Sequence, residues 1–221
     1  MFIFSWKFRY LDGGNPHIQP AYLPADMSTM HNKLLNYFSR IMPLSGEEAQ
    51  AIAATMNIQQ YKKGTVLLKE GQIATEVYFV LEGCVRQYYL VDGDEKTSNF
   101  FTEEQWVVSI NSFNHQTPST HFLECCLDSA VVVGNREKEE ALYRQYPKFE
   151  TISRKVMEQV FAEQQEIMAS YTTDTPEQRY LKLLKARPDL FQRIPQYQIA
   201  SYIGVKPESL SRIRKRILLK P

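Results

Sequence analysis

Two regions with the helical spacing of apolar residues enclose a middle region that has the spacing of strands. Residues 31–40 place Leu34, Leu35 and Phe38 on one side of a short helix, and Ser45–Glu48 has the pattern of a capping box before a second helix. Five runs rich in β-branched and aromatic residues follow: Val66–Leu68, Val77–Leu81, Val85–Val91, Thr97–Phe101 and Ala130–Val133. Glycines separate most of these runs at intervals of roughly ten residues, which predicts a compact antiparallel barrel or sandwich.

Helical spacing returns in the next part of the chain. Ile152, Val156, Val160 and Ile167 recur at intervals of four or seven residues, and residues 148–175 contain neither glycine nor proline. The pattern predicts a helix of about 24 residues, roughly 36 Å long. Such a helix either packs on its own domain or joins two copies of the chain. The second interpretation is favoured because a small barrel would not cover its whole length, and the four apolar residues are then the predicted dimer contacts.

The spacing over residues 196–217 is that of a helix-turn-helix motif. Gly204 stands at the turn, where glycine adopts a positive φ at low cost. Ala200, four residues earlier, is small enough to let two helices approach, and Leu210 and Ile213 follow six and nine residues after the glycine. The motif also places three apolar residues around the turn: Ile199, Ile203 and Val205.

The second helix of this motif has an apolar stripe and an opposite face that is polar and mostly cationic. In such motifs this helix lies in the major groove of DNA. Arg212 can pair with guanine O6 and N7, and Glu208 can accept from cytosine N4. We assign base readout to Glu208, Ser211 and Arg212. Phosphate contacts, which add affinity without sequence information, are assigned to Ser209, Arg214, Lys215 and Arg216. The alternative is that these charges only solvate a surface helix.

Charge is unevenly distributed along the chain. Residues 175–221 contain eleven Lys and Arg against three Asp and Glu, a net charge of +8, whereas the remainder carries −7 and the whole chain +1. This asymmetry favours a nucleic-acid partner for the C-terminal end.

The sequence lacks the motifs of disulfide frameworks, metal sites, membrane helices and common enzyme classes. The three cysteines, Cys84, Cys125 and Cys126, include no C-x-x-C pair, so we expect small buried side chains and neither a disulfide framework nor a metal site. No apolar run approaches the ~18–20 residues of a membrane helix. P-loop, G-x-S-x-G and H-E-x-x-H motifs are absent from the sequence. We therefore expect a cytoplasmic protein that is not an enzyme and that needs no cofactor and no membrane.

Three segments carry a resemblance to a known family. Glu208–Arg212 resembles the E-x-x-S-R recognition element of the Crp/Fnr regulators, and Tyr61–Gly71 and Tyr78–Gly83 are similar to that family's β-roll, which has the cyclic-nucleotide-binding fold. The resemblance covers roughly residues 30–217. It implies an α+β fold: an N-terminal antiparallel β-roll of the jelly-roll type, a long dimerisation helix, and a C-terminal helix-turn-helix whose wing is short or absent.

The resemblance also implies a function and a domain organisation. The protein would be a homodimer that regulates transcription by binding double-stranded DNA at a near-palindromic operator, with RNA polymerase as a further partner. By analogy, Glu208 and Arg212 would read a T-G-A core in each half-site. The expected divisions are a loose extension (1–28), the β-roll domain (29–146), the dimerisation helix (147–173) and the helix-turn-helix domain (174–221).

The segment that corresponds to the family's nucleotide pocket departs from its pattern. Val108 and Ser109 stand where the family's cyclic-nucleotide binders have a Gly-Glu pair for the ribose. Ser119 and Thr120 stand near the Arg-Ser pair that meets the phosphate, and this segment contains no arginine. We therefore expect a degenerate pocket that does not bind cyclic AMP with useful affinity. An unidentified small-molecule effector stays open, and so does a sensor module of this fold whose DNA binding is weak or lost.

Two further expectations concern single residues. Lys206 replaces the usual Ser or Thr cap before Pro207, which we expect to weaken the start of the last helix by about 1 kcal/mol. His115 and His121 lie in the former pocket segment, where we expect them to be packed or surface residues and not ligand contacts.

Overall fold

The computed structural model describes residues 27–219, with side chains from residue 30 onwards. The predicted N-terminal extension, residues 1–28, lies outside this range except for Met27 and Ser28, which begin the first helix. The helices are α1 (Met27–Ile41), α2 (Gly46–Thr55), α3 (Ile110–His115), α4 (Arg136–Gln145), α5 (Lys148–Thr173), α6 (Pro176–Ala186), α7 (Leu190–Arg193), α8 (Gln196–Ile203) and α9 (Pro207–Leu218). The strands are β1 (Ile58–Tyr61), β2 (Val66–Leu68), β3 (Glu76–Glu82), β4 (Val85–Val91), β5 (Asp94–Phe101), β6 (Trp106–Val107), β7 (Phe122–Cys125) and β8 (Ser129–Asn135).

The strands form two four-stranded antiparallel sheets, in the orders β1-β8-β3-β6 and β2-β7-β4-β5. A jelly roll of this kind confirms the fold class expected from the sequence. The first sheet is buried on both faces, because α1 and α5 cover its outer side, whereas the C-terminal helices cover only part of the outer side of the second sheet. Along β3, Tyr78 and Val80 point into the roll, whereas Phe79 and Leu81 point outward and pack beneath α1 and α5. This double burial explains why β3 is apolar throughout and not alternating.

The structure has two capping boxes, and the first of them is the one that the sequence predicted at Ser45–Glu48. Ser45 and Glu48 exchange side-chain and backbone hydrogen bonds at the start of α2. Thr175 and Gln178 do the same at the start of α6, where Pro176 occupies the first turn. Each box satisfies amide groups that the helix itself leaves unpaired, and so fixes where the helix begins.

The long helix α5 turns its regular apolar stripe toward its own chain. Ile152 is 1% exposed and Val156 5% exposed, because both pack on the outer face of the first sheet. Val160 is partly buried against the same cluster, and Ile167 is half-buried. The expectation that Ile152 and Val156 contact a second copy is therefore wrong for these two residues, since a side chain already buried within the chain is not available to a partner.

The C-terminal helices pack on the outer face of the second sheet. One apolar cluster joins three buried residues of the roll to the C-terminal helices; its members include Cys84, Phe100, Cys126, Leu190, Ile199, Ile203, Leu210 and Ile213. All three cysteines are buried and free, as expected. The roll and the C-terminal helices thus share one hydrophobic core.

Candidate nucleic-acid interface

The turn between α8 and α9 has the geometry that its glycine predicts. Gly204 has a φ of 81°, in the left-handed region that favours glycine. The amide of Val205 donates to the carbonyl of Ala200 across 2.9 Å, which closes the end of α8. Ala200 itself is completely buried where the two helices meet. These local features fix the direction in which α9 leaves the turn.

Two residues on neighbouring helices donate hydrogen bonds to carbonyls at this turn. The sequence analysis did not single them out. The Nε atom of Arg179, on α6, donates to the carbonyl of Ile203 at 2.9 Å, and its Nη1 atom donates to the carbonyl of Asp174 at 2.6 Å. The hydroxyl of Tyr171, on α5, donates to the carbonyl of Tyr202. A guanidinium at a helix C-terminus also compensates the partial negative charge there. Arg179 and Tyr171 therefore connect the turn to α6 and α5.

The apolar stripe of α9 faces inward and its polar face points to solvent. Leu210 and Ile213 are 2% and 5% exposed and pack in the shared core. The side chains predicted to read bases, Glu208, Ser211 and Arg212, are all exposed. Among the predicted phosphate contacts, Lys215 and Arg216 are exposed, whereas Ser209 and Arg214 are half-buried. The predicted residues are thus displayed together on one helix.

Some of these side chains already have partners within the chain. The guanidinium of Arg212 folds back along α9, with Nη2 3.3 Å from the Ser209 hydroxyl oxygen and Nε 3.4 Å from the Glu208 carbonyl oxygen. Arg216 pairs with Glu177 of α6 at 3.1 Å, so it also ties α9 to α6. Within residues 30–219, nothing pairs with the Glu208 carboxylate or the Lys215 ammonium group. These two charged groups are therefore available to an external partner.

The start of α9 lacks a side-chain cap at Lys206, and the weakening expected from this stays a prediction. The Lys206 backbone has the extended conformation of a cap residue, but its side chain makes no capping hydrogen bond. Pro207 occupies the first turn and lacks an amide, which removes one unpaired donor.

Hydrogen bonds also join α8 to the edge strand of the second sheet. The Ser201 hydroxyl donates to the carbonyl of Glu95 at 2.8 Å and accepts from the amide of Thr97 at 2.9 Å. Because β5 is one of the two edge strands of this sheet, the contact satisfies backbone groups that would otherwise be unpaired. The orientation of α8 is thereby set by the roll.

An arginine at the end of α7 makes several polar contacts between the roll and the C-terminal helices. Arg193 forms two hydrogen bonds with the Glu103 carboxylate, at 2.7 and 2.9 Å, and donates to the carbonyl of Gly83 at 3.0 Å. Burial favours the neutral form of Glu103, but the hydrogen bonds from Arg193 and from the Gly83 amide outweigh it and lower the pKa of this carboxyl. The pair stays ionised at neutral pH.

The segment that replaces the nucleotide pocket is closed by its own side chains. Ser109 and Ser119 are buried, and their hydroxyl oxygens lie 3.4 Å apart. Val108 packs against the interior of the roll, whereas Thr120 is exposed. The sequence from residue 106 to 121 contains no Lys or Arg, so the segment offers no cation to a phosphate.

The two histidines of this segment differ in environment. His115 is exposed, whereas His121 is buried with its ring edge-on to Tyr89, the ring centres being 5.5 Å apart. Burial lowers the pKa of His121, so its ring is neutral near pH 7. His121 is a packed residue, in agreement with the sequence analysis.

A second apolar stripe on α5 faces solvent. Met157 is 37% exposed, Phe161 64% and Met168 73%. At 100° per residue these side chains lie about 120° around the helix from the stripe that packs on the roll. Because exposed large apolar side chains aligned along one helix mark an interaction site, we call Met157, Phe161 and Met168 the outer stripe.

Neither a membrane-spanning helix nor a metal-binding group of side chains is found in the part of the chain that the structure covers. None of its helices is both long enough and apolar enough to cross a membrane. Its His, Cys, Asp and Glu residues do not form a group that could hold a metal ion.

Comparison with known proteins identifies the fold. Residues 58–146 match the family described as the cyclic nucleotide-binding domain. No curated protein matches the chain significantly. The similar solved structures include CLP, a c-di-GMP-responsive global regulator from Xanthomonas campestris, with 17% identity, a TM-score of 0.63, and coverage of 79% of this chain and 92% of CLP.

Two further solved structures extend this likeness. FixK2 from Bradyrhizobium japonicum is 18% identical, with a TM-score of 0.59 and coverage of 74% of this chain and 84% of FixK2. A CooA variant from Carboxydothermus hydrogenoformans is 16% identical, with a TM-score of 0.57 and coverage of 80% and 81%. At these identities the likeness establishes the fold alone: a cyclic-nucleotide-binding-like roll followed by a long helix and a group of C-terminal helices.

Proposed function

We propose that this chain, which has the fold of the Crp/Fnr regulators, is a cytoplasmic transcription regulator that binds DNA as a homodimer. The single observation that carries the proposal is the orientation of α9. Leu210 and Ile213 are buried in the core while Glu208, Ser211, Arg212 and Lys215 are exposed along the opposite face. In this proposal α9 enters the major groove, where Glu208, Ser211 and Arg212 meet base edges.

Phosphate contacts complete the proposed interface. Lys215 and Arg214 flank the base-reading residues on α9, and Ser209 lies on its first turn. Arg216 binds phosphate only if it leaves Glu177, so we assign it first to holding α9 on α6. Cationic side chains of this kind supply affinity that falls as the salt concentration rises. RNA polymerase is the further partner that such a regulator would act on.

A test of the proposed function is selection of bound fragments from genomic DNA, followed by a mobility shift on the recovered sequences. We expect a small set of near-palindromic sites, bound far more tightly than unrelated DNA of the same length. If no fragment is enriched, with or without cell extract to supply an effector, the chain is better described as a sensor module that has lost DNA binding.

The outer stripe is the proposed contact between two copies. Ile152 and Val156 are buried within the chain, so the partner helix must pack elsewhere, and Phe161 and Met168 are the most exposed large apolar side chains of α5. They are seven residues apart, which is the repeat of a two-helix contact.

Replacing Phe161 with glutamate is expected to raise the dissociation constant of the dimer by about tenfold or more. A charge placed in an apolar contact costs more than the ~1.4 kcal/mol that corresponds to tenfold. Sedimentation velocity over a concentration series measures this constant. Lys155→Glu is the matched control, because Lys155 is exposed on another side of α5. If both variants dimerise like the parent, the outer stripe is not the interface.

Cyclic AMP is expected not to bind at micromolar concentrations. A cyclic phosphate would lose the charge-assisted hydrogen bonds of an arginine, each worth ~1.5–3 kcal/mol, because residues 106–121 contain no cation. Isothermal titration calorimetry tests this, with a cyclic-AMP-binding regulator as the positive control. A saturable isotherm with a micromolar dissociation constant would contradict the prediction.

A further inference from the structure

A cavity of about 470 Å³ lies between the outer face of the first sheet and the helices that cover it. Residues of β8 form its floor, and residues of α1, α2, α3, α4 and α5 surround it. Neither Ser109 nor Ser119 lines it, so it is separate from the segment that replaces the nucleotide pocket. Its volume is within the range of small-molecule sites in proteins. We propose that this cavity binds a small, uncharged apolar molecule.

The walls of the cavity are apolar from its floor to its opening. Val132 of β8 and Ile152 and Val156 of α5 are buried in the lining. Ile110 is 39% exposed and Met157 is 37% exposed, so these two apolar side chains mark where the cavity meets solvent. Exposed apolar groups of this kind lose contact with water when a ligand covers them, and that loss favours binding.

Three polar side chains of the lining, on α4 and α5, bond to one another, and a fourth bonds to α3. The half-buried carboxylate of Glu139 accepts hydrogen bonds from the hydroxyls of Tyr143 and Ser153. The guanidinium of Arg136 donates to the carbonyl of Phe113 at 2.9 Å and lies over the ring of the same residue, 5.1 Å from its centre. A ligand that used these groups would have to break the bonds, whereas an apolar ligand leaves them in place.

The charges around the cavity cancel. Two cations and two anions line it, all on α4: Arg136, Lys138, Glu139 and Glu140. Among the described residues, no other Lys, Arg, Asp or Glu belongs to the lining. Arg136, Lys138 and Glu140 are exposed, so water and salt screen them. A charged ligand would therefore lose its hydration without meeting a net opposite charge, and the cost of that desolvation favours an uncharged ligand.

The test is a fluorescence titration of the full-length protein with N-phenyl-1-naphthylamine, an uncharged apolar dye whose emission rises in apolar surroundings. We expect saturable binding of about one dye per chain. The dye 8-anilinonaphthalene-1-sulfonate is the same molecule with a sulfonate added. We expect it to bind about tenfold more weakly or worse, because the sulfonate leaves water without a compensating charge.

Two substitutions fill the cavity from different sides: Val132→Phe from β8 and Ser153→Phe from α5. Each is expected to weaken binding of the uncharged dye by about tenfold or more, since the new ring occupies the space that the dye needs. Ala186→Phe is the matched control, because Ala186 lines a different cavity, between the roll, α5 and the C-terminal helices. It should leave the affinity unchanged. Circular dichroism shows whether each variant is folded, and the pair of dyes tests the parent protein independently of the variants.

Three outcomes would overturn the proposal: the uncharged dye does not saturate, the sulfonated dye binds as tightly, or the folded variants with a filled cavity bind like the parent. Met157 also belongs to the outer stripe, so the titration is repeated at protein concentrations below and above the dimer dissociation constant. An affinity that falls as dimers form would assign the cavity to the partner subunit and likewise overturn the proposal. No DNA is present, so the outcome is independent of the proposed function.

Discussion

Replacing Arg212 with alanine will weaken binding to the selected operator by about 1–3 kcal/mol and relax the base preference at one position of each half-site. The guanidinium is exposed, and its two contacts within α9 are long, at 3.3 and 3.4 Å, so it is free to turn toward a guanine. A bidentate pair with one base is lost in the variant, and that loss depends on which base is present. Fluorescence anisotropy on operators substituted one base pair at a time measures both effects.

Lys215→Ala is the matched control for this experiment. Lys215 is exposed on the same helix but is assigned to phosphate, so its removal should weaken binding to all sequences similarly. It should also reduce the slope of log affinity against log salt concentration by about one. If the two variants behave alike on every DNA, the division between base-reading and phosphate-binding residues is wrong.

Replacing Gly83 with alanine will lower the free energy of unfolding by about 3 kcal/mol or more. Gly83 has a φ of 103°, and an added Cβ would lie 2.5 Å from the carbonyl oxygen of Asp128 and 2.7 Å from the Cα of Ser129. Backbone atoms cannot move aside as the end of a flexible side chain can. The cost therefore combines the strain of a positive φ, about 1–2 kcal/mol, with overpacking of about 1–3 kcal/mol.

Gly93→Ala separates these two costs. Gly93 has a φ of 83°, but nothing lies within 4 Å of an added Cβ, so only the backbone strain applies and a loss of about 1 kcal/mol is expected. Urea unfolding followed by circular dichroism measures both variants. Equal losses for the two would mean that the strand connection at Gly83 relaxes around the new methyl group.

The sequence predicted the elements whose signals are local. The runs that became β2, β3, β4, β5 and β8 are dense in β-branched and aromatic residues. By contrast β6 has only two residues, and the two middle residues of β1 are exposed glutamines. Such strands exist because neighbouring strands pair with them, and a single sequence carries no sign of that pairing.

The long helix α5 shows a different limit of prediction from sequence. Val160 and Ile167 are next to Phe161 and Met168 in the sequence, so two apolar lines run side by side along α5. Periodicity establishes the helix but cannot decide which line faces the roll, because both lines are apolar. The assignment became possible only when Ile152 and Val156 were found beneath the first sheet.

The candidate DNA-binding face also contains some features that follow from local spacing and others that depend on distant contacts. The roles of Gly204, Leu210 and Ile213 follow from their spacing, since the turn and the stripe are properties of adjacent residues. The role of Arg179 depends on where α6 crosses α8, more than twenty residues later in the chain, and a spacing argument does not reach that far.

The apolar core that joins the C-terminal helices to the second sheet limits how freely this part of the chain could be exchanged. Ile199, Ile203 and Leu210 are buried in part by contact with Cys84, Phe100 and Cys126 of the roll. Grafted onto an unrelated protein, the same helices would expose that surface and lose stability with it. A new DNA specificity can therefore evolve or be engineered with fewer constraints on the solvent side of α9 than in the buried contact with the roll. In that contact, residues of the roll and of the C-terminal helices must change together.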